Sequence, residues 1–295
     1  MKWNEHPTLF KAYSELLELR TGTVKARAKL VYDEIIRSSG VKGQNLAMEV
    51  KAEAVWTAND RPYYDLYPGI AEAFTKVDLS KVRGDQIKLP LPQLLIRLPV
   101  GHELKHSEKA PAIRSILVSE VTMHGLEIPG WMVSTNDGSM EHFKGFSVPL
   151  HTVTGFGFIP GQSVSDVLEI SRNRGRTDGD VDNAEVDLAF KVLVTLCLLR
   201  SNPDLIDPLP LEADRAKWED THDPKLLEKA ARRGKRGWAI GKHIEVAPGF
   251  RCPHFAIRWM GTKGNYTPVL RPVKGCLVRK KAVTEVPTDW LGPAV

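Results

Sequence analysis

The sequence has few cysteines, and their placement excludes two common roles. Only three occur in 295 residues, Cys197, Cys252 and Cys276, and none belongs to a Cys-x-x-Cys pair. Disulfide-stabilised small domains and thiolate zinc sites both need more cysteines at closer spacing. The sequence therefore predicts a protein whose thiols stay reduced, as they do in the cytoplasm.

Long apolar runs are also missing. The longest candidate, Phe190 to Leu199, is about half the length of a membrane-spanning helix. The first residues turn polar at once and lack a signal-peptide core. With 42% hydrophobic and 26% charged residues, the composition is that of a folded globular protein. We therefore expect a soluble, cytoplasmic protein with no membrane partner.

Motifs for nucleophilic catalysis and phosphate binding are absent too. The nearest approach to Gly-x-Ser-x-Gly begins at Gly161 and has Ser165 in place of the last glycine. The Gly-Thr-Lys-Gly stretch at 261–264 is too short for a phosphate-binding loop and predicts a hairpin turn. The sequence therefore predicts no catalytic residues by this route, and it leaves open whether the protein is an enzyme.

One metal-site pattern does occur, His-Glu-Leu-Lys-His at residues 102–106. On a helix, histidines four apart share a face and bind zinc, and the Glu then acts as a general base. The segment resembles the zincin metallopeptidase signature, which implies a zinc-dependent hydrolase using His102, Glu103 and His106. Prolines on both sides disfavour a helix, so a solvated turn between strands is the preferred interpretation. No cofactor is predicted, and zinc belongs only to this alternative.

Apolar spacing predicts helices in the N-terminal third. Thr8 can cap a helix that carries apolar residues at spacings of three and four, and a second such pattern runs from Val24 to Ile36. A third stretch, Leu46 to Trp56, is rich in Ala, Glu and Met and favours a helix. We expect the tyrosines that follow, at positions 63, 64 and 67, to pack against a helix edge rather than to stack on bases.

From Ile87 onward the pattern favours strands. Apolar runs up to Val153 are separated by turn signals, of which Asn136-Asp-Gly-Ser139 is the strongest, so we expect an antiparallel meander. A helix beginning near Asn183 is apolar on nearly every side and should lie buried in the core. The predicted class is α+β, with a helical N-terminal region, a central antiparallel sheet with one buried helix, and a small basic C-terminal β module.

Composition also predicts four regions along the chain. We expect a helical region at 1–86, the meander and buried helix at 87–202, an acidic proline-rich linker at 203–224, and the basic β module at 225–295.

Charge is distributed very unevenly. Between Lys225 and Lys281 there are fifteen Lys and Arg against two Glu, about +13, whereas the whole chain is +5. The remainder therefore carries about −8. A concentrated positive charge favours a polyanionic partner. The alternative is a basic surface that pairs with the acidic residues of 203–224.

The basic module also contains aromatic residues, which can stack on bases. Period two in the predicted strand at 254–260 places His254 and Arg258 on one face and Phe255, Ile257 and Trp259 on the other. The predicted nucleic-acid-binding residues are Arg232, Arg233, Lys235, Arg236, Trp238, Lys242, His254, Arg258, Lys263, Arg271 and Lys274.

Three functions follow from the sequence, in order of preference. The first is binding of DNA or RNA phosphates through the basic module. The second is the zinc-dependent hydrolase at 102–106. The third is an interaction module in a larger assembly, where the basic face meets an acidic protein partner.

Overall fold

The computed structural model describes most of the chain. None of the helices in the described part combines the length and apolar character that a bilayer crossing needs. The described residues are 1–123, 128–143, 145–159, 161–178, 183–199, 205–234, 237–241, 254–262 and 265–273.

Helices and strands alternate irregularly along these residues. The helices are α1 (Leu9–Leu16), α2 (Val24–Ser39), α3 (Gln44–Ala58), α4 (Ile70–Thr75), α5 (Val164–Asp178), α6 (Asn183–Leu199), α7 (Arg215–Thr221) and α8 (Pro224–Arg232). The strands are β1 (Tyr63–Leu66), β2 (Gln93–Arg97), β3 (Ser115–Met123), β4 (Ile128–Phe143), β5 (Phe146–Gly157), β6 (Ile206–Leu209), β7 (Gly237–Ile240), β8 (His254–Thr262) and β9 (Asn265–Val273).

Seven strands form one sheet in the order β5-β4-β3-β2-β1-β7-β6. Strand β1 runs parallel to both of its neighbours, β2 and β7, and the other pairs are antiparallel. Strands β8 and β9 form a separate antiparallel hairpin. Helices combined with a mostly antiparallel sheet confirm the predicted α+β class.

The predicted N-terminal helices are confirmed, and threonines begin two of them. The hydroxyl oxygens of Thr8 and Thr23 accept hydrogen bonds from the backbone N–H three residues later, which satisfies a donor that the helix itself leaves free. The apolar faces of α1, α2 and α3 meet in one cluster that includes Phe10, Val31 and Val50. These three helices therefore form a small packed unit beside the sheet.

Helix α6 is the buried helix that the sequence predicts. Phe190 stacks on Phe156 of β5 with ring centroids 4.4 Å apart. On the side of α4, the buried Thr195 hydroxyl donates a hydrogen bond to the Phe74 carbonyl at 3.2 Å. Because α6 contacts both the sheet and α4, all its residues from 192 to 199 are buried, which explains why that part is apolar on nearly every side.

The predicted hairpin turn at Asn136–Ser139 is wrong. Strand β4 continues through it, and the pairing with β5 shifts register between Asn136 and Met140, which is a β-bulge. The side-chain oxygens of Asn136 and Asp137 accept hydrogen bonds from Gly138 N and Ser139 N, at 3.1 and 2.7 Å. This local turn chemistry bends the strand without reversing it, because pairing with β5 resumes beyond the bulge. The meander β3-β4-β5 is itself confirmed.

Two stretches predicted as other structure belong to the sheet. Tyr63 and Tyr64, expected against a helix edge, lie in β1, all four residues of which are buried. Within 203–224, predicted as a linker, Ile206–Leu209 forms edge strand β6. Trp238, predicted in the C-terminal module, lies in β7 between β1 and β6. Short strands show too few alternations to be found from periodicity, and the predicted domain boundaries stay a prediction.

Close packing at Gly237 gives a first testable prediction. A Cβ atom there would lie 2.5 Å from the Tyr63 ring and 2.7 Å from the Pro210 carbonyl oxygen. Tyr63 is fully buried, and its hydroxyl donates to that same carbonyl at 2.9 Å, so the ring has nowhere to move. We expect Gly237→Ala to lower the free energy of unfolding by about 1–3 kcal/mol, measured by urea denaturation. An unchanged denaturation midpoint would contradict this packing.

Candidate functional site

The β8–β9 hairpin is attached to the main body by one of its faces. Phe255 and Leu270 are buried in the large core cluster. The Phe255 ring meets Phe74 of α4 edge-on, with centroids 5.2 Å apart. The predicted alternation along β8 is therefore present, because Phe255 faces the core and Arg258 is exposed.

The opposite face of the hairpin carries two arginines. Arg258 pairs with Val269 and Ala256 pairs with Arg271, so the two arginines are diagonal neighbours on one face. Both are exposed. The guanidinium of Arg271 also lies 3.8 Å from the Met260 sulfur. Two forked cations on one exposed strand pair match the geometry in which phosphate oxygens are bound.

The free end of the hairpin exposes aromatic rings. Trp259 and Tyr266 are 38% and 50% exposed, although the rest of their face turns into the core. Trp259 pairs with Pro268 and Gly261 pairs with Tyr266, so the two rings are diagonal neighbours on the face that bears Phe255. The hairpin thus extends beyond the core at this end, and both its faces are accessible there.

The basic residues of α8 and of its C-cap, Arg233, are partly neutralised within the protein. Lys229 binds Asp214 at 2.7 Å, and Arg233 binds Asp60 at 3.2 Å. Arg232 lies 3.8 Å from Glu228 one turn earlier. The pairing with the acidic stretch 203–224 that was considered from the sequence therefore exists for Lys229. Exposed pairs of this kind are weak, so these cations can exchange partners.

The other predicted binding residues fall in two groups. Trp238 is half-buried and stacks on Tyr64, with centroids 4.7 Å apart, so one ring face is already covered. The His254 backbone belongs to β8, but its side chain lies outside the described residues. Also outside them are Lys235, Arg236, Lys242, Lys263 and Lys274.

The segment 102–106 has no helix. It is a loop in which Leu104 forms an isolated bridge to Ile113, while His102 and His106 are exposed. The Glu103 carboxylate accepts a hydrogen bond from Gly101 N at 3.1 Å. The shared helical face on which the zinc interpretation depends is therefore not formed, and the turn conformation agrees with the preferred interpretation.

A buried cluster that the sequence analysis missed lies between α3 and the sheet. His6, Glu53 and His151 each offer one ligand atom, and these atoms all lie within 4.8 Å of one another. The two imidazole rings stack with centroids 4.8 Å apart. Glu53 Oε1 is 3.9 Å from His6 Nε2 and 3.7 Å from His151 Nδ1. Both distances are too long for hydrogen bonds.

Neighbouring groups hold the cluster from outside. Ser115 Oγ lies 2.9 Å from His6 Nδ1, and Glu49 Oε1 lies 2.6 Å from His151 Nδ1. Glu53 accepts a hydrogen bond from Phe10 N through its other oxygen, at 2.6 Å. One atom of each central residue remains without a hydrogen-bond partner: His6 Nε2, Glu53 Oε1 and His151 Nε2.

Burial changes the acid–base properties of this cluster. It lowers the pKa of His6 well below the usual value, and the charge of His151 adds to that effect. Burial raises the pKa of Glu53 well above the usual value, as does the nearby Glu49, although backbone hydrogen bonds from Phe10 and Leu9 oppose the change. At neutral pH the His6 imidazole is therefore neutral and has a lone pair available.

No family model and no curated protein matches this chain. The chain is similar in fold to a solved structure titled "Crystal structure of AcrVA2", with a TM-score of 0.52 and 15% sequence identity. The alignment covers 92% of this chain and 93% of that chain. At this identity the likeness concerns the fold, and it extends over nearly the whole length of both proteins.

A cleft of about 690 Å³ lies beside the cluster and includes His6 and Trp56 in its lining. Its wall also carries a buried charge network. Arg97 on β2 binds Asp65, its direct partner on β1, through two hydrogen bonds of 2.8 and 3.2 Å. Arg215 approaches the same carboxylate at 3.3 Å. The cleft therefore has a wall of paired charges, and the buried His6 lies beside it.

Proposed function

We propose that the protein binds DNA or RNA through the β8–β9 hairpin. The observation that carries the proposal is the exposed surface of the hairpin, where Arg258 and Arg271 share one face and Trp259 and Tyr266 project from the other, nearer the free end. Phosphates bind guanidinium groups, and bases stack on exposed rings. A single strand that wraps the free end meets both kinds of group.

The charge of the surrounding segment supports a nucleic acid over an acidic protein. Fifteen cations stand against two carboxylates between Lys225 and Lys281, a density suited to a regular row of phosphates. Each phosphate neutralised releases condensed counterions, so binding to such a segment is favoured by entropy at low salt. The exposed rings of Trp259 and Tyr266 would add base stacking, which contributes about 1–3 kcal/mol for each stacked base.

Salt-dependent binding tests this proposal. We expect labelled single-stranded RNA or DNA to bind the full chain with an affinity that falls steeply as salt rises, measured by fluorescence anisotropy. Arg258→Ala/Arg271→Ala should flatten the log–log salt slope by about 2, because each phosphate-contacting cation contributes about 1. Trp259→Ala should weaken binding without changing the slope, since a ring releases no counterions.

The control removes the same charge from a different surface. Lys25 and Lys29 are exposed on α2, so Lys25→Ala/Lys29→Ala changes the net charge equally and should leave both affinity and slope nearly unchanged. If this control weakens binding as much as the hairpin variant, the attraction is unspecific and the hairpin is not the interface. Absence of binding at physiological salt, with an acidic protein co-purifying, would favour the protein-partner alternative instead.

A further inference from the structure

We propose that His6, Glu53 and His151 bind one divalent transition-metal ion, with Zn²⁺ as the best chemical match. This inference is independent of nucleic-acid binding, because the cluster and the hairpin belong to different elements. It is also distinct from the 102–106 segment. Two imidazoles and one carboxylate are a ligand set found in catalytic zinc sites, which keep a further position open.

The unpartnered atoms carry the argument. Buried polar atoms are nearly always hydrogen-bonded, and leaving one unpaired costs about 1–3 kcal/mol. Here one such atom occurs on each of the three residues, and the three residues offer ligand atoms that lie within 4.8 Å of one another. A single cation would supply a partner for both imidazoles and for the carboxylate. Glu53 Oε1 and His6 Nε2 do not satisfy each other, because 3.9 Å is too long for a hydrogen bond.

The ligand atoms must move closer together to hold an ion. Zinc bonds of about 2.0–2.1 Å in a tetrahedron place neighbouring ligand atoms about 3.3 Å apart. Glu53 Oε1 is 3.9 Å from His6 Nε2, so that pair must approach by about half an ångström, and a pair at the 4.8 Å limit of the cluster by about 1.5 Å. The side chains are already oriented, because Ser115 holds one imidazole and Glu49 holds the other. Metal-binding histidines commonly have their second nitrogen held in this way.

The ligand types select the class of metal. Mg²⁺ and Ca²⁺ prefer sets made of oxygen atoms, whereas imidazole suits zinc and other first-row transition metals. His6 also lies in the lining of the neighbouring cleft, although its side chain is fully buried.

Metal titration of untagged full-length protein tests the inference. After removal of metal with a chelator, we expect one Zn²⁺ per chain to bind in competition with a chromophoric chelator. Glu53→Gln keeps an oxygen for the Phe10 N–H but loses the charge, and should weaken zinc affinity by about a hundredfold or more. Glu49→Gln removes the carboxylate that contacts His151 and keeps an oxygen for the Ser134 hydroxyl, and it should weaken zinc affinity about 10–100-fold.

The matched control is His102→Ala/His106→Ala, which removes two exposed imidazoles from the surface loop. It should leave zinc affinity unchanged. Circular dichroism checks that each variant folds, and His6→Ala replaces Glu53→Gln if that variant does not. The inference is overturned if the wild-type chain binds less than one ion, if the cluster variants bind as tightly as wild type, or if the control alone loses binding.

Discussion

Replacing Asp65 by alanine is expected to lower the free energy of unfolding by about 3–5 kcal/mol. Asp65 is fully buried and is the carboxylate that Arg97 and Arg215 share. Arg97 is itself 7% exposed and lies with its guanidinium 4.1 Å from the centre of the Tyr63 ring. Without the carboxylate, a charged guanidinium would remain in the core with only Glu212, at 3.9 Å, nearby. Urea denaturation measures the loss.

The Asp65–Arg97 ion pair contributes little net stability, but removing only one of its partners is costly. Burial raises the pKa of the Asp65 carboxyl, and the charge of Arg97 only partly opposes this. Desolvation therefore outweighs attraction for the carboxylate, which is typical of buried ion pairs. It follows that Asp65→Leu/Arg97→Met should recover most of the stability that Asp65→Ala loses. Arg215 would still bind Glu219 at 2.7 Å in that variant.

The exposed pair of Arg83 and Asp85 provides the control. Their side chains are 3.1 Å apart and about half exposed, so Asp85→Ala should change the free energy of unfolding by about 0.5 kcal/mol or less. If Asp65→Ala lowers the free energy of unfolding no more than this control does, then water solvates Arg97 and the charge network is not excluded from solvent. If the double variant is less stable than Asp65→Ala alone, the charges contribute more than burial costs them.

The elements predicted correctly are those long enough to show a period. Helix α2 spans sixteen residues and helix α6 seventeen, so their apolar patterns repeat several times. Strands β1, β6 and β7 have four residues each, too few to distinguish a buried strand from a turn with apolar neighbours. The parallel pairing at the centre of the sheet escaped prediction for the same reason. Of its two strand pairs, β1 with β7 joins stretches more than 170 residues apart.

The buried cluster was missed because no spacing rule links its members. His6, Glu53 and His151 come from the N-terminal segment, a helix and a strand, and meet only through the tertiary fold. The sequence of α3 does contain one indication of the cluster. Glu49 and Glu53 are four apart in a helix that is otherwise rich in apolar residues, which places both carboxylates on one face. Two buried glutamates require partners, and the sequence does not say which histidines supply them.

Phe255→Ala is expected to cost about 3–5 kcal/mol and to release the hairpin from the core. Phe255 meets Phe74 edge-on, and Leu270 beside it is fully buried, so these side chains attach both hairpin strands to α4 and α6. An isolated two-stranded hairpin is barely stable in water, so its cleavage by a protease should accelerate together with the loss of stability. Normal protease resistance in this variant would mean that the hairpin does not depend on the core.

Tyr266→Ala is the control for Phe255→Ala, and it distinguishes an effect on nucleic-acid affinity from an effect on stability. Tyr266 lies at the exposed end of the same hairpin, on the face of Phe255 but beyond the core, so its removal should change the free energy of unfolding by about 0.5 kcal/mol or less. Protease resistance should then equal that of wild type. A fall in nucleic-acid affinity in this stable variant would arise from the missing ring itself. An equal fall in Phe255→Ala would show that the ring acts only when the core holds the hairpin in place.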